Sequence, residues 1–247
     1  MITMDLLNKT QEINQMSLFG KGYSDKAQKP TDFQKRTLDT DVYPGTIKMA
    51  FVGQSAGGAA NVTLEVKLDN GKTYKETIYV TNRQGSNTYE KDGKEFYLPG
   101  FLTVNQIALF ATGKDLFELE EDLETRTVKI YDFQAGKEVA QDVQAIIPLI
   151  NQPVLIAIEE YEDEKKTKQG NEYVPTGEVV NRNQIQKVYH PETRQTYVEA
   201  TEEKEATQLD SWLADNKGKV RKLKTAAESA NTNTVTKPTS SGLFGKK

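Results

Sequence analysis

The chain has no cysteine, one histidine and one tryptophan among its 247 residues. Without cysteine there can be no disulfide and no thiolate metal ligand, a composition that fits a reducing compartment. His190 stands just ahead of a turn proline, and a lone turn histidine reads as a surface residue, not a general base. A phosphate-cradling loop is also missing: Gln54-Ser55-Ala56-Gly57-Gly58 lacks both the lysine and the following helix that such a cradle needs. No apolar run approaches the roughly 20 residues of a membrane-spanning helix, and Met1–Gln11, with one lysine and no apolar core, does not read as a secretory signal. The apolar share of 36% is low for a compact globule of this length, so exposed segments are expected beside the core. These deficits point away from an enzyme and from a cofactor, metal or membrane partner.

The charge is present but unevenly distributed. The net charge is −4, yet residues 217–247 hold eight Lys or Arg against one acid, leaving the rest of the chain at −11. The acids cluster at Asp115–Glu124 and Glu159–Glu164. Their spacing matches no calcium loop, and both runs read as solvated faces. An acidic protein can still bind nucleic acid where a groove is locally positive.

Ala60 to Phe101 is the stretch on which the rest depends. Two alternating runs, Ala60–Leu68 and Lys72–Thr81, flank Asp69-Asn70-Gly71, a hairpin signal. A two-residue turn would set Glu65 against Glu76. A three-residue turn with Gly71 left-handed instead sets Val62 against Ile78, Val66 against Tyr74 and Glu65 against Lys75, which removes the like-charge pair and gathers the apolar side chains on one face. The second register is therefore expected, with Tyr74 in the core and Glu76 left unexplained on the inner face. The outer face then carries Lys67, Lys75 and Tyr79 and leads into the long loop 82–100.

Elsewhere, residues 1–42 lack sustained periodicity and read as an N-terminal arm. Thr46–Val52 alternates with Ile47, Met49 and Phe51 on one face. Thr103–Thr112 has helical spacing with Thr103 as its cap. Thr125–Phe133 reads as a strand with Val128 and Ile130 inward, Glu138–Gln144 and Val154–Tyr161 as further strands, and Tyr173–Val198 as an appended hairpin. Glu202–Asp215 reads as one helix with an apolar stripe of Leu209, Trp212 and Leu213, followed by a basic segment to residue 230. Residues 231–247 compose a linker that ends in a Leu-Phe-Gly-Lys-Lys tip. The expected class is mainly β: three strands, one helix and more strands, the order of an OB-fold, a five-stranded barrel, spanning residues 43–200 with its appended hairpin, followed by a C-terminal helix, between flexible termini.

Unpaired bases expose flat faces on which aromatic rings stack, while Lys and Arg follow the phosphates. Tyr79, Tyr89, Phe96, Tyr97 and Tyr131 are the candidate stacking platforms, and Lys48, Lys67, Lys75, Arg83, Lys91, Lys94 and Lys129 the candidate phosphate contacts. The bland alternative is that Phe96 and Tyr97 plug the barrel end and the lysines serve solubility. Leu18-Phe19-Gly20-Lys21 repeats the four letters of Leu243–Lys246, a match that chance supplies in a chain this long. The sharper alternative is that both ends enter one pocket.

The Tyr79 strand, the loop ending Phe96-Tyr97-Leu98-Pro99-Gly100, the helix from Thr103, and the run Gln184-Ile185-Gln186-Lys187-Val188-Tyr189 with its turn through Thr193 resemble bacteriophage single-stranded DNA-binding proteins, in particular those of Enquatrovirus-type podophages. The resemblance covers about residues 43–198 and the character of the tail. It implies an OB-fold protein that coats unwound DNA in phage replication and recombination, in the cytoplasm of the infected bacterial host, beside phage replication proteins. In the Enquatrovirus type the C-terminal end also contacts host RNA polymerase and activates late transcription, which here would fall to Leu243, Phe244, Lys246 and Lys247. The tip departs from many relatives, which end acidic and hydrophobic. A virion structural or adaptor protein without nucleic-acid binding is the rival expectation.

Overall fold

The computed structural model describes residues 37–132, 135–170 and 172–223. They form a mainly β protein built on a large sheet, antiparallel except for one short parallel pairing. In chain order the elements are β1 (Asp41–Gln54), β2 (Ala60–Leu68), β3 (Thr73–Tyr79), β4 (Thr88–Lys91), β5 (Lys94–Tyr97), α1 (Pro99–Thr112), β6 (Leu123–Asp132), β7 (Lys137–Ile146), β8 (Pro153–Gln169), β9 (Glu172–Tyr189), α2 (Tyr197–Thr201), α3 (Gln208–Asn216) and β10 (Val220–Arg221). Asp41 lies within the first strand, and Leu38 is already buried, so the boundary expected after residue 42 falls inside β1.

β1 is the hub of the sheet. Asp41–Thr46 pairs with β8, Gly45–Gln54 pairs with β2, and Phe51 and Val52 also meet β7. The ladder shifts between Ile47 and Met49, where Lys48 is the extra residue of a bulge. Strand side chains alternate with period two, so one added residue reverses the phase beyond it. Ile47, Ala50 and Val52 face the core, and Met49 and Phe51 turn to the other side opposite Glu65 and Thr63. The single face expected for Ile47, Met49 and Phe51 is corrected for that reason.

The β2–β3 hairpin has the three-residue turn. Val62 pairs with Ile78, Glu65 with Lys75 and Val66 with Tyr74, and Gly71 sits at φ 85°, a conformation a side chain would strain. Val62, Leu64, Val66, Tyr74 and Ile78 are buried in the main core with α1.

That helix starts four residues earlier than expected. Pro99 opens its first turn, where a missing N–H costs nothing, and Thr103 lies inside it, its hydroxyl donating to the Pro99 carbonyl at 3.0 Å. Gly100 is required by packing: a Cβ there would stand 2.2 Å from the Tyr79 carbonyl oxygen. α1 packs on both β3 and β9, which share no ladder. Between these strands the Glu76 carboxylate accepts the Ile185 N–H at 2.8 Å and the Tyr74 hydroxyl at 2.7 Å. The Ile185 N–H is released at the point where the β8–β9 register shifts. Glu76, unexplained by pattern, thus bridges the two strands. No closed barrel of ladders forms among the described residues.

β8 separates two cores. Val154, Ile156 and Ile158 face the main core, while Leu155 and Ala157 face Tyr189, Leu209 and Trp212. Leu209, Trp212 and Leu213 form the apolar stripe expected of α3, and burying such side chains contributes about 1.5–3 kcal/mol each. The helix expected over Glu202–Asp215 is shorter, starting only at Gln208, and a separate helix, α2, ends at Thr201 before it. Glu203 has φ 53° between them, and the buried Glu199 carboxylate accepts the N–H groups of Thr196, Thr207 and Gln208 at 2.8–2.9 Å. Burial alone would raise its pKa, but these donors outweigh it and hold the carboxyl at about 2. The strand expected to return through Gln195–Val198 does not form. Thr196 and Glu199 make a capping box there, and β9 pairs with β8 along its length instead.

Acidic residues 159–164 are not simply a solvated face. Glu159 and Glu160 are buried. Glu159 accepts from Gln184 and Arg221, both at 2.9 Å, and Glu160 accepts from Thr37 and Asn181, both at 2.8 Å. Lys222 pairs with Glu162 at 2.6 Å and Lys217 with Asp41 at 3.0 Å. The basic run after α3 is therefore a clasp across β1 and β8, with the Arg221 guanidinium 4.8 Å over the Tyr161 ring.

Candidate nucleic-acid interface

The loop read between residues 82 and 100 contains an unpredicted hairpin. Asp92 and Gly93 have φ 55° and 69°, the two left-handed residues of a tight turn between β4 and β5. Pairing sets Tyr89 against Phe96, Lys91 against Lys94, Thr88 against Tyr97 and Glu90 against Glu95. Because faces alternate, Tyr89, Phe96, Lys91 and Lys94 share one side, and Thr88, Tyr97, Glu90 and Glu95 the other. The Tyr89 and Phe96 rings stack at 5.8 Å between centroids, 30° from parallel, and remain 42% and 44% exposed. An exposed aromatic pair flanked by two ammonium groups offers a base a platform and its phosphates a counter-charge.

The hairpin is seated beside the end of β3. Leu98 N–H donates to the Asn87 carbonyl at 2.8 Å, closing its base, and Gly100 brings the chain against the Tyr79 backbone. Tyr79 is 53% exposed at the end of the face that carries Lys75 and Thr77. On β2, Lys67 continues that face, its ammonium donating to the Gly71 carbonyl. Arg83 follows in a turn in which Asn82 Oδ1 accepts the N–H groups of Gln84 and Ser86, both at 2.9 Å, and its side chain lies against Gly57. Lys48 is exposed at the β1 bulge.

Three candidates stand apart. The β6–β7 ribbon carries Lys129 and Tyr131 on the side of Thr125 and Gln144, which is the side of Val52, whereas Val128 and Ile130 share the side of Phe51. Val128 and Ile130 are half-buried, not core residues, a correction to the inward placement expected of them. Register thus places Lys129 and Tyr131 on the face opposite Lys75 and Tyr79. Tyr97, on the acidic side of its hairpin, stacks on Phe101 at 5.2 Å, and Phe101 meets Phe117 at 5.6 Å. Phe117, 57% exposed beside an acidic turn, carried no alternation or spacing by which the sequence could single it out.

None of the seven candidate cations, Lys48, Lys67, Lys75, Arg83, Lys91, Lys94 and Lys129, makes an ion pair among the described residues. His190 is structural here: its Nδ1 accepts the N–H groups of Glu192 and Thr193 at 3.3 and 3.2 Å, and its ring lies edge-on to Phe110. The tip residues Leu243, Phe244, Lys246 and Lys247, and Leu18–Lys21, lie outside the described residues. The chain matches no protein-family model and no curated protein.

Proposed function

We propose that this chain is a non-catalytic single-stranded DNA-binding protein of the bacteriophage kind it resembles, coating unwound DNA in replication and recombination in the cytoplasm of an infected bacterium. The observation that carries the reading is the β4–β5 face: two stacked, exposed rings and two lysines with no carboxylate partner among the described residues. Rings of this kind accept any base, so binding is weakly sequence-selective, and phosphate contacts make it salt-sensitive. The strand runs from the Lys67–Lys75–Tyr79 face across the hairpin.

The fold proposed to support it is an OB-fold variant. Three features favour that: β1 shared among three neighbouring strands, α1 placed after β3 and across the gap to β9, and Glu76 bridging that gap where a ladder would close a barrel. Host RNA polymerase and phage replication proteins are the partners proposed for the C-terminal end.

Titration with a homopolymer pyrimidine oligonucleotide at low salt tests the reading. Tyrosine emission is the readout, because Trp212 is buried against Leu155 and Tyr189 and will not sense the strand. Quenching that weakens with salt is expected, and no binding at low salt rejects the proposal.

A further inference from the structure

Five of the exposed large apolar side chains lie along one groove. Leu102, Tyr197 and Val198 line a cavity of about 490 Å³ between α1, β9 and α2. Leu102 and Tyr197 also line an adjoining one of about 260 Å³ that holds Tyr97 and Phe117. The groove is mixed in character, with these side chains set among Thr103, Gln106, Gln186 and Thr196. The charges around it are Asp115, Glu202 and Glu205 against Lys187 and Lys204, Glu199 being buried on its three N–H donors. Glu202 is paired with Lys204 at 2.6 Å, and Glu205 has no cationic partner among the described residues. A phosphate backbone is repelled by such a rim. An apolar segment carrying cations is attracted to it.

The chain itself contains that segment. Leu243-Phe244-Gly245-Lys246-Lys247 offers two large apolar side chains followed by two ammonium groups. We propose that the groove between α1 and α2 is the docking site of this C-terminal tip in the same molecule. The apolar pair would fill the Leu102–Tyr197–Val198 floor, with the lysines on the Glu202–Glu205 rim.

The connection is long enough. Leu223 N–H is bonded to Glu162 on β8. The groove wall at Lys187 pairs with Ala157, five positions along the same strand, or roughly 17 Å at about 3.3 Å per residue plus a strand spacing of about 5 Å. Residues 224–242 number nineteen, and a chain of that length can reach up to about 65 Å. Tethering therefore holds the tip near the groove at an effective concentration that free peptide matches only at about millimolar levels. A tip seated there is withheld from outside partners until something displaces it. None of this depends on strand binding.

The test uses a fluorescent peptide of residues 241–247 and the full-length protein. The full-length Leu243→Ser/Phe244→Ser variant, whose own tip cannot compete, is expected to bind the peptide. Wild type is expected to bind it at least tenfold more weakly. Adding Leu102→Glu and Val198→Glu to the tip variant is expected to abolish binding while thermal melting stays unchanged, since both side chains are exposed. Hydrogen exchange over residues 102–109 and 197–201 is expected to be slower in wild type than in the tip variant. Equal peptide affinity for wild type and tip variant overturns docking within one molecule, as does an unchanged exchange pattern. Peptide binding that survives the groove substitutions, or no binding to the tip variant, overturns the groove assignment.

Discussion

Two regions of the molecule hold several of their cations in opposite ways. Beside β8, β9 and β10, Lys165, Arg182, Arg221 and Lys222 each rest on a carboxylate, and Lys217 rests on Asp41 of β1, while Lys166, Lys168 and Lys187 make no ion pair among the described residues. On the β2–β3 face and the β4–β5 hairpin, Lys67, Lys75, Lys91 and Lys94 have none among the described residues, and Tyr79, Tyr89 and Phe96 are exposed. The sequence places its densest basic run at residues 217–224, and charge counting alone would put the nucleic-acid contact there. The fold spends most of that run on Asp41, Glu159 and Glu162, so a positive residue count is a poor guide to a positive surface. What remains for an anionic ligand is the sparser set of Lys67, Lys75, Lys91 and Lys94, of which Lys75 has Glu65 opposite it in the ladder but not within ion-pair distance.

The most severe way to break this contrast is to remove the rings. Tyr89→Ala with Phe96→Ala is expected to weaken oligonucleotide binding about 100-fold, since each base–ring stack is worth about 1–3 kcal/mol. The melting temperature should hold, because both side chains are largely outside the core. Tyr97→Ala, on the acidic side of the same hairpin, is expected to change affinity less than about threefold. Equal losses from both faces would mean the alternation does not sort the contacts.

On the paired side, the largest effect should appear in stability, not binding. Glu199→Ala leaves three part-buried N–H groups without their acceptor and unties α2 from α3. It is expected to cost about 2–3 kcal/mol by denaturant unfolding, with strand affinity unchanged. A carboxyl held at about 2 when folded contributes stability that is complete above its ordinary value near 4.5 and lost as pH falls from there towards 2. Wild type should therefore lose stability over that acid window more steeply than the variant.

Charge reversal compares the two regions directly. Lys91→Glu with Lys94→Glu is expected to lower affinity at least tenfold at low salt and to reduce the salt slope by about 2, one for each lost phosphate contact. Lys217→Glu with Lys222→Glu should leave that slope unchanged and lower stability by about 1 kcal/mol, the scale of exposed ion pairs. A reduced slope from the second pair would show that the clasp opens to bind the strand.

The sequence could be read where pattern and charge agreed. The β2–β3 register follows from Glu65 needing Lys75 opposite and from apolar residues needing one face. It failed where a single residue mattered. The bulge at Lys48 leaves no trace in an alternating run, so Met49 and Phe51 went to the wrong side. The Asp92-Gly93 turn is a strong signal, but its flanks, Thr-Tyr-Glu-Lys and Lys-Glu-Phe-Tyr, bury nothing and so show no alternation of apolar and polar residues. The long β8–β9 ribbon escaped for the same reason: beyond Tyr161 β8 is polar on both sides. Of the candidate site, the residue types were legible but not their sides, because Tyr97, Lys129 and Tyr131 are separated from the rest by register alone.

The smallest expected effect lies at the seam joining the two regions. Glu76 is 109 positions from Ile185 in sequence, and only tertiary structure brings them together. Burial, the leading cause, raises its carboxyl above the usual range, against the opposing pull of the Tyr74 hydroxyl and the Ile185 N–H. A carboxyl whose pKa is higher when folded binds its proton more tightly in the native state. Stability therefore falls as pH rises from the ordinary carboxylate range through the folded value. Glutamine keeps an oxygen for Ile185 and an amide that can donate to Tyr74, and it carries no charge to desolvate. Glu76→Gln is expected to match wild type at mildly acidic pH, to exceed it slightly at neutral pH, and to flatten the pH dependence between them in denaturant unfolding. If Glu76→Gln instead destabilises the protein equally at both pH values, the bridge acts through geometry alone, and the β3–β9 contact owes nothing to the charge it buries.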